Sequence, residues 1–375
     1  MKKKIVFICS GNPKDRKNWS GTISYMAEAL EKKYEVEYIR VDENPQLGQA
    51  LLNTKLMKMF SFKRNVRNMA ISKASRKYIE NKVNSIDCDL IFAPAVSEYI
   101  ALCSFKKPVI YLTDATFHAL LDYYIYGASK HDIVVGNKVE EYSLKLCSQA
   151  VFSSKWAADD AVSYYKISPD KVHVIPFGAN IATGDYIPDR HNLGREVKLL
   201  FVGADWRRKG GIIAIETMKW LNANDKEHEY SIDIVGTDII DSYENEPFVR
   251  YHGFINKNEP TGMSKITQLY KNASIYIIPT KAECCSMTYQ EASSFGLPSI
   301  TYNTGGTSSG VENGINGYLL EEGSSPEEFG IKILEMIKDD KYTGLCKTTY
   351  EYYKDRLTWD AWLKDISKLI EDLCV

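Results

Sequence analysis

The chain has 375 residues, too many for one ordinary hydrophobic core and suited to two domains of about 100–200 residues each. Its 47 basic and 49 acidic side chains give a net charge of −2, which excludes a global electrostatic field that favours nucleic acid. With 44% hydrophobic and 26% charged residues, the composition is typical of a globular protein.

The amino-terminal segment, MKKKIVFICSGNPK, begins with basic residues as a signal peptide does. Its apolar run ends after about six residues, short of the roughly 7–15 of a signal peptide, and no run reaches the roughly 18 residues of a membrane span. We therefore expect a cytoplasmic protein. Its eight cysteines lack the paired spacing of a zinc site, so we predict that they are mostly reduced packing residues that bind no metal. We also expect no cofactor.

Short β-branched runs recur in the first half of the chain, separated by segments long enough for helices. They lie at residues 3–9, 35–41, 89–94, 108–114, 150–154 and 171–178. Most are apolar throughout, which is typical of strands buried on both faces of a parallel sheet. After the first run, Ile23, Met26, Ala27 and Leu30 have the spacing of one buried helix face. This alternation predicts βαβ units.

A polar, turn-rich segment at 181–196 interrupts the pattern, and we place an interdomain linker at 186–196. The alternation then restarts, with strands predicted at 197–204, 230–237, 249–254, 274–280, 298–304 and 317–320. The sequence therefore predicts an α/β protein with two Rossmann-like, doubly wound parallel-sheet domains, 1–185 and 197–350, facing a cleft. A final helix within 351–375 packs either on its own domain or back on the first.

Residues 55–82 carry nine basic side chains and one acidic side chain, Glu80, in a chain whose total charge is nearly balanced. Interleaved leucine, methionine, phenylalanine, valine and isoleucine residues make the stretch amphipathic. Two interpretations stay open: a solvated basic helix, or a surface for an anionic membrane or a lipid-phosphate acceptor. The second would make the protein peripheral at the inner face of the membrane.

Two glutamates, Glu283 and Glu291, flank the predicted start of a helix at 287–295, with Ser286 as its N-cap. Glu283 follows the predicted strand 274–280, at the end of a strand where α/β sheets bind ligands. The free amides of Cys285, Ser286, Met287 and Thr288 would form a phosphate site at the positive end of the helix dipole. The alternative is a pair of acids that merely suit that dipole.

The segment ECCSMTYQEASSFGLPSITYNTGG, followed by NGINGYLL, resembles the signature of the family-4 (group 1) retaining glycosyltransferases of GT-B fold. VKLLFVGADWRRKGG resembles the phosphate-binding stretch of that family, including Gly203. NWSGTISYMAEAL resembles its first loop and helix. The resemblance covers nearly the whole chain and implies transfer of a sugar from a nucleotide donor.

The resemblance also implies roles for single residues. Glu291 resembles the glutamate that holds the ribose, and Glu283 the one that contacts hydroxyls of the donor sugar. Lys209 resembles the lysine that neutralises the diphosphate. The family's arginine is replaced by Ala204, so we expect Arg207 or Arg208 to supply that charge.

Further positions are assigned in the same way. We expect Ser20, Gly21 and Thr22 to meet the diphosphate or the acceptor, with a helix N-cap at Ser20 as the structural alternative. Asp114 and, second, His118 are candidates for orienting the acceptor or the donor sugar. The segment with Phe254 and Ile255 resembles the edge that contacts the nucleobase.

Our prediction is thus a metal-independent, retaining transferase that takes a nucleotide-sugar donor and a sugar or lipid-linked acceptor, in polysaccharide or glycolipid synthesis. The resemblance implies that the departing phosphate oxygen takes the acceptor proton. Two alternatives stay open: a sugar-nucleotide epimerase or hydrolase of the same fold, and a non-catalytic sugar-nucleotide-binding protein. Asp87 and Asp89 resemble a metal-binding Asp-x-Asp but precede a strand, which favours a turn.

Overall fold

A computed structural model of the chain describes residues 2–48, 67–184, 186–189, 193–237, 243, 246–285 and 287–374. The chain forms two compact units, and each is described by itself. The first unit comprises Met1–Pro176 and Trp362–Val375, and the second comprises Phe177–Ala361. The second unit thus begins ahead of the segment that we predicted as a linker.

The first unit is built on a six-stranded sheet in the order β2-β1-β3-β4-β5-β6. Its strands are β1 Lys4–Cys9, β2 Glu35–Arg40, β3 Leu90–Pro94, β4 Val109–Thr113, β5 Gln149–Phe152 and β6 Val172–Val174. Every pair of neighbours is parallel. The chain changes direction across the sheet between β1 and β3, which is the switch point where ligands bind in such sheets.

Burial explains why these runs form the sheet. The side chains of β3 and β4 are buried at every position, as continuous apolar runs require when helices cover both faces. In edge strand β2, EVEYIR, exposed Glu35 and Glu37 instead alternate with partly buried Val36 and Tyr38, and Ile39 is buried. All six strands predicted in this half are confirmed.

The described helices of the first unit include several besides the terminal one. Among them are α1 Thr22–Glu31, α2 Met69–Asn84, α3 Ser97–Ile100, α4 Lys130–Leu146 and α5 Lys155–Ser163. In α1 the predicted apolar face is buried, because Ile23, Met26, Ala27 and Leu30 are at most 3% exposed. Its N-cap is Gly21, so the alternative that Ser20 caps the helix is wrong.

The second unit has a six-stranded parallel sheet in the order β12-β11-β10-β7-β8-β9. Its strands are β7 Glu196–Val202, β8 Glu229–Val235, β9 Val249–Tyr251, β10 Ile275–Ile277, β11 Ser299–Tyr302 and β12 Gly317–Leu320. The helices of this unit include α6 Gly211–Asn224, α7 Pro260–Asn272, α8 Met287–Ser294, α9 Pro326–Met336 and α10 Asp339–Arg356. The switch point lies between β7 and β10, and the six strands predicted in this half are also confirmed.

The carboxyl-terminal helix α11, Trp359–Leu373, contributes to both units. In the second unit Trp359 stacks with Phe177 at a ring distance of 6.3 Å and donates from Nε1 to the carbonyl of Ala179 at 3.1 Å. In the first unit Trp362 meets the ring of Phe92 edge-on at 6.0 Å. Phe177, the first residue of the second unit, thus packs against the start of α11.

The Asp-x-Asp motif and three of the cysteines have structural roles outside the candidate site. Asp89 accepts a hydrogen bond from the amide of Lys4 at 2.7 Å, so this Asp-x-Asp ties a turn to β1. Cys9, Cys103 and Cys147 are buried, and burial raises the pKa of each thiol to about 12, as packing residues require.

The basic stretch lies only partly within the described residues, because residues 55–66 fall outside them. In α2 the apolar residues Ile71, Ile79 and Val83 are buried in the first unit, so this face is not available to a membrane. Among the described residues, no helix is long and apolar enough to cross a membrane.

Candidate functional site

The switch point of the second sheet carries an ion pair between two predicted site residues. Lys209 follows β7, Glu283 follows β10, and the lysine ammonium contacts Oε2 of the glutamate. Both side chains are largely buried, with exposures of 12% and 7%. The structure therefore brings together, at the sheet edge where α/β folds bind ligands, one cation and one carboxylate from different strands.

Local backbone geometry places Lys209. Gly210, the N-cap of α6, has a φ of +76°, and a Cβ there would collide with the carbonyl oxygen of Pro279. Only glycine suits both conditions, so the turn at Gly210 sends Lys209 toward the loop after β10. Gly203 lies beneath the lysine stem, since a Cβ at that position would be 3.0 Å from Cγ of Lys209.

The two arginines beside Lys209 differ in their surroundings. Arg208 donates from its guanidinium to Asp205 Oδ2 at 3.2 Å and to the carbonyl of Ala282 at 2.8 Å. It thereby connects the β7 loop to the residue before Glu283. Arg207 is exposed, as is Ala204 in the place of the family's arginine.

Glu283 is held from a second side by the loop after β11. The amide of Gly306 donates to the carbonyl of Glu283 at 2.7 Å. Gly305 has a φ of +50°, which lets the loop turn at this point. The loop after β11 thus lies against the Glu283 backbone.

Glu291 is fully buried in α8, and its two oxygens have different partners. The hydroxyl of Tyr270 donates to Oε2 at 3.0 Å, and the ammonium of Lys257 contacts Oε1. Burial, and then the charge of Glu291, raise the pKa of Tyr270 well above its ordinary value, so the phenol stays a donor. Sequence reasoning missed Tyr270 and Lys257; the only signal was a lysine shortly after the predicted strand 249–254.

The start of α8 is tied to the sheet. The buried hydroxyl of Tyr276 lies 2.7 Å from Oγ1 of Thr288 and 3.3 Å from the carbonyl of Val202. Met287, the first helical residue, and Cys285 are partly buried, and Ser286 lies outside the described residues. Strands β7 and β10 therefore orient the helix terminus that we predicted to meet phosphate.

The loop after β9 is more open. Phe254 is 79% exposed, while Ile255 is partly buried against the core of this unit. The carbonyl of Gly253 accepts from the amide of Gly236 at 2.9 Å, which holds this loop beside the end of β8. Lys257 extends from the same loop to Glu291.

In the first unit, the predicted residues fall at the ends of β1 and β4. Ser20, Gly21 and Thr22 form the turn into α1, and Ser20 has a φ of +57°. Asp114 directly follows β4 and is partly buried. His118 lies in the same loop, and its Nδ1 is 2.6 Å from Oδ1 of Asp160, a residue that sequence reasoning missed.

Chemically, the second unit offers cations and helix amides for an anion and carboxylates for hydroxyl groups. Lys209 and Arg208 supply positive charge at the switch point, next to the amino terminus of α6. Glu283 and Glu291 supply acceptors in separate environments, one paired with Lys209 and the other with Lys257.

Two family models match the chain, one in each half. The model described as glycosyl transferases group 1 matches residues 186–356, and the model described as Glycosyltransferase Family 4 matches residues 22–183. The chain belongs to the group 1 glycosyltransferases. Every predicted site residue of the second unit lies within the group 1 match.

Curated relatives of this group 1 chain match over part of their length. It is 23% identical over 182 residues to a glycosyltransferase of Methanocaldococcus jannaschii, covering 46% of this chain and 48% of that protein. It is 20% identical over 270 residues to the D-inositol 3-phosphate glycosyltransferase of Corynebacterium kroppenstedtii, covering 64% and 58%. The chain thus spans less than two thirds of either relative.

Solved structures are similar over nearly the whole chain. A glycosyltransferase from Rickettsia africae has a TM-score of 0.67 at 16% identity, covering 99% of this chain and 98% of that one. Sucrose-phosphate synthase from Thermosynechococcus elongatus has a TM-score of 0.67 at 15% identity, covering 99% of both. HepE of Anabaena, crystallised with UDP and glucose, has a TM-score of 0.62 at 16% identity and covers 99% and 100%. The group 1 chain has the GT-B fold.

Proposed function

We propose that this group 1 glycosyltransferase moves a sugar from a nucleoside diphosphate sugar to an acceptor hydroxyl with retention of configuration. The Lys209–Glu283 ion pair at the switch point of the second sheet carries the proposal, because it joins a cation for the diphosphate to an acceptor for sugar hydroxyls. The UDP and glucose bound to Anabaena HepE support this class of donor.

In the proposed reaction, the bond between C1 of the sugar and the phosphate oxygen breaks, and a bond from C1 to the acceptor oxygen forms on the same face. The departing phosphate oxygen takes the acceptor proton, so no side chain acts as a strong base. Negative charge grows on the diphosphate, where Lys209, an arginine and the amides at the start of α8 stabilise it. Glu283 orients sugar hydroxyls and Glu291 the ribose hydroxyls.

No metal is required in this proposal, because the protein's own cations face the leaving group. We expect transfer to be unchanged when EDTA is added to the assay and unchanged when magnesium replaces the EDTA. A loss of activity with EDTA that magnesium restores would reject this part of the proposal and leave the sugar transfer standing.

The first experiment is a thermal-shift and calorimetry panel of UDP, GDP, dTDP and their common sugars without added metal. We expect nucleotides of one of the three bases to bind the wild-type protein specifically and not to bind the Glu291→Gln variant. Product analysis then follows the donor: glycoside of retained anomeric configuration supports transfer, and an epimerised or hydrolysed donor in the absence of acceptor supports the alternative reaction. Binding without turnover would indicate a sugar-nucleotide-binding protein.

An anionic membrane surface as the location of a lipid-linked acceptor remains part of the proposal. Lys73, Lys77 and Lys82, which belong to the predicted basic stretch 55–82, are exposed on α2. We expect the protein to sediment with vesicles containing phosphatidylserine at low salt, and not with phosphatidylcholine vesicles. Absence of binding at low salt would remove the membrane from the proposal.

A further inference from the structure

Phe117 anchors the loop that follows β4 and carries two candidate residues of the first unit. Asp114 begins this loop, His118 directly follows Phe117, and the Phe117 side chain is fully buried. A buried amide outside helices and strands needs a side chain or water as its partner. The amide of Phe117 donates to Oε2 of Glu140 on α4 at 3.2 Å. The backbone next to His118 is therefore set by a side chain of α4.

Glu140 is a fully buried carboxylate that the proposed reaction does not use. Its Oε1 accepts from the hydroxyl of Tyr111 on β4 at 2.9 Å, and burial raises the pKa of Tyr111, so the phenol stays a donor. The guanidinium of Arg67, just ahead of α2, contacts Oε2, and only 17% of the Arg67 side chain is exposed. Glu140 thus joins α4 to β4, to the loop and to the segment before α2.

The ring of Phe117 is fixed at the same place as its amide. Gly136 lies one helical turn before Glu140, so both residues share one face of α4. A Cβ at Gly136 would lie 2.2 Å from the ring of Phe117, and glycine alone leaves room for that ring. The guanidinium of Arg67 lies over the ring at 5.7 Å from its centroid. Phe117 therefore contacts both α4 and Arg67.

The residue after Arg67 holds the arginine in place. The amide of Asn68 donates to Oε1 of Glu98 on α3 at 2.8 Å. The side chain of Asn68 caps α2 by accepting from the amide of Ala70 at 2.9 Å. Although Arg67 belongs to the basic stretch 55–82, its charge is therefore engaged inside the unit.

Stability alone does not account for the pair of Arg67 and Glu140. Taking two charges out of water is unfavourable, and apolar side chains of similar volume often replace a buried ion pair without loss of stability. Apolar side chains, however, offer no acceptor to the amide of Phe117. The arrangement therefore fits a role in positioning, in which Glu140 supplies the acceptor and Arg67 compensates its charge.

We propose that Glu140 is a positioning residue for the transfer reaction, that it sets the loop 114–118 through the amide of Phe117, and that Arg67 neutralises it. Groups of this kind hold the side chains of a site in the geometry that a reaction requires. The inference rests on the proposed transferase function, because the loop carries Asp114 and His118. In this proposal neither Glu140 nor Arg67 touches a substrate, and no covalent bond changes at either residue.

Two double variants separate the hydrogen bond from the charges. The acceptor-free variant, Arg67→Met with Glu140→Leu, removes both charges and the acceptor for Phe117. The amide variant, Arg67→Met with Glu140→Gln, removes both charges but keeps an oxygen that can accept from Phe117. Both should fold, because neither leaves a buried charge unpaired. Lys145→Met with Glu141→Leu removes an exposed ion pair from the same helix and is the matched control.

Hydrogen exchange of the Phe117 amide, followed by NMR, measures the loop directly. We expect slow exchange in the wild type, the amide variant and the control. In the acceptor-free variant we expect exchange at least about tenfold faster, as for one lost hydrogen bond. Equal exchange in all four proteins would show that Glu140 does not hold Phe117 and would overturn the proposal.

The effect on the reaction is measured as release of nucleotide from the donor identified by the nucleotide panel, with methyl α-glucoside or water as the acceptor. We expect the acceptor-free variant to turn over about tenfold more slowly, as for one lost hydrogen bond. Its KM for the donor should be unchanged, because Glu291 and Lys209 lie in the other unit. The amide variant should recover most of the wild-type rate, which a loss caused by the missing charges would not do.

The outcomes distinguish this inference from the proposed function. Wild-type turnover in the acceptor-free variant, or equal losses in both double variants, would overturn the role of Glu140 and leave the transferase standing. A wild type that neither binds nor releases nucleotide would instead reject the transferase, and with it any role of Glu140 in transfer. Should the acceptor-free variant not fold, Glu140→Asp, which draws the carboxylate back by one methylene, replaces it with the same expectations.

Discussion

Lys209 and Glu283, 74 residues apart in the chain, form an ion pair across the switch point of the second sheet. In the free protein, the lysine predicted to meet the diphosphate is thus neutralised by the carboxylate predicted to meet the sugar. A donor that contacts both residues must separate the ion pair, because its phosphate would bind Lys209 while its sugar hydroxyls bind Glu283. Binding of the diphosphate and binding of the sugar are therefore expected to depend on each other.

Lys209→Met should lower turnover by about 10²–10³, because one preorganised donor to a developing negative charge contributes about that much. Steady-state rates with saturating donor measure the effect. Lys219→Met, which removes a lysine from a surface pair with Glu246, is the control and should leave turnover unchanged. Wild-type turnover in Lys209→Met would mean that the leaving group lies elsewhere.

The effects of Lys209 and Glu283 on the free energy of unfolding should also depend on each other. Each single change, Lys209→Met or Glu283→Gln, leaves a largely buried group without its ionic partner, whereas the double variant leaves no unpaired charge. We expect the double variant to lose less free energy of unfolding than the two single variants together, by about 0.5–3 kcal/mol. Urea unfolding of the four proteins measures this, and additive losses would show that the pair contributes no coupling.

Glu291→Gln should abolish specific nucleotide binding, because an amide does not offer two acceptor oxygens to ribose hydroxyls. Tyr270→Phe removes one hydrogen bond to the same carboxylate and should weaken binding about tenfold or less. Calorimetry with the nucleotide identified in the panel tests both. Glu322→Gln, at an exposed position, should bind as the wild type does; binding by Glu291→Gln at wild-type affinity would contradict the assignment.

Lys257→Ala should strengthen nucleotide binding, because the lysine ammonium contacts the Glu291 oxygen that ribose hydroxyls would take. The variant should also be less stable without ligand, since the fully buried Glu291 loses one of its two partners. Calorimetry and thermal unfolding measure the two effects. Weaker binding would instead indicate that Lys257 contacts the nucleotide directly.

His173 should make the free energy of unfolding depend on pH. Burial lowers its pKa below the ordinary value of about 6.5, and its Nε2 lies 2.8 Å from Gln149 Oε1. The unfolded chain then binds a proton at higher pH than the folded chain, so stability is complete above the unfolded pKa and declines as pH falls through the folded one. His173→Gln should lose this dependence; unfolding curves between about pH 7.5 and pH 5 test it, and parallel curves for both proteins would contradict it.

Structural features that depend on residues close together in the sequence could be predicted from the sequence alone. The twelve strands that the structure describes were all predicted, most of them because parallel strands buried on both faces require apolar runs that are visible in one segment at a time. The start of α8 was also predictable from its own segment. The same segment indicated Glu283 and Glu291 as candidate site residues.

The partners of those residues were not predictable. Glu291 meets Tyr270 from 21 residues away and Lys257 from 34, and His118 meets Asp160 from 42. None of these pairs has a spacing that a helix or a strand would bring together. They meet because helices and loops that follow different strands pack against one another beside the same parallel sheet.

The sequence by itself therefore determined the two α/β sheets, the family resemblance and the positions where chemistry was expected. Only the tertiary structure decided that Lys209 pairs with Glu283, that Lys257 covers Glu291, and that α11 contributes to both units. The physical reason is that secondary structure follows from local burial periodicity, whereas ion pairs and aromatic contacts depend on which distant elements pack against each other.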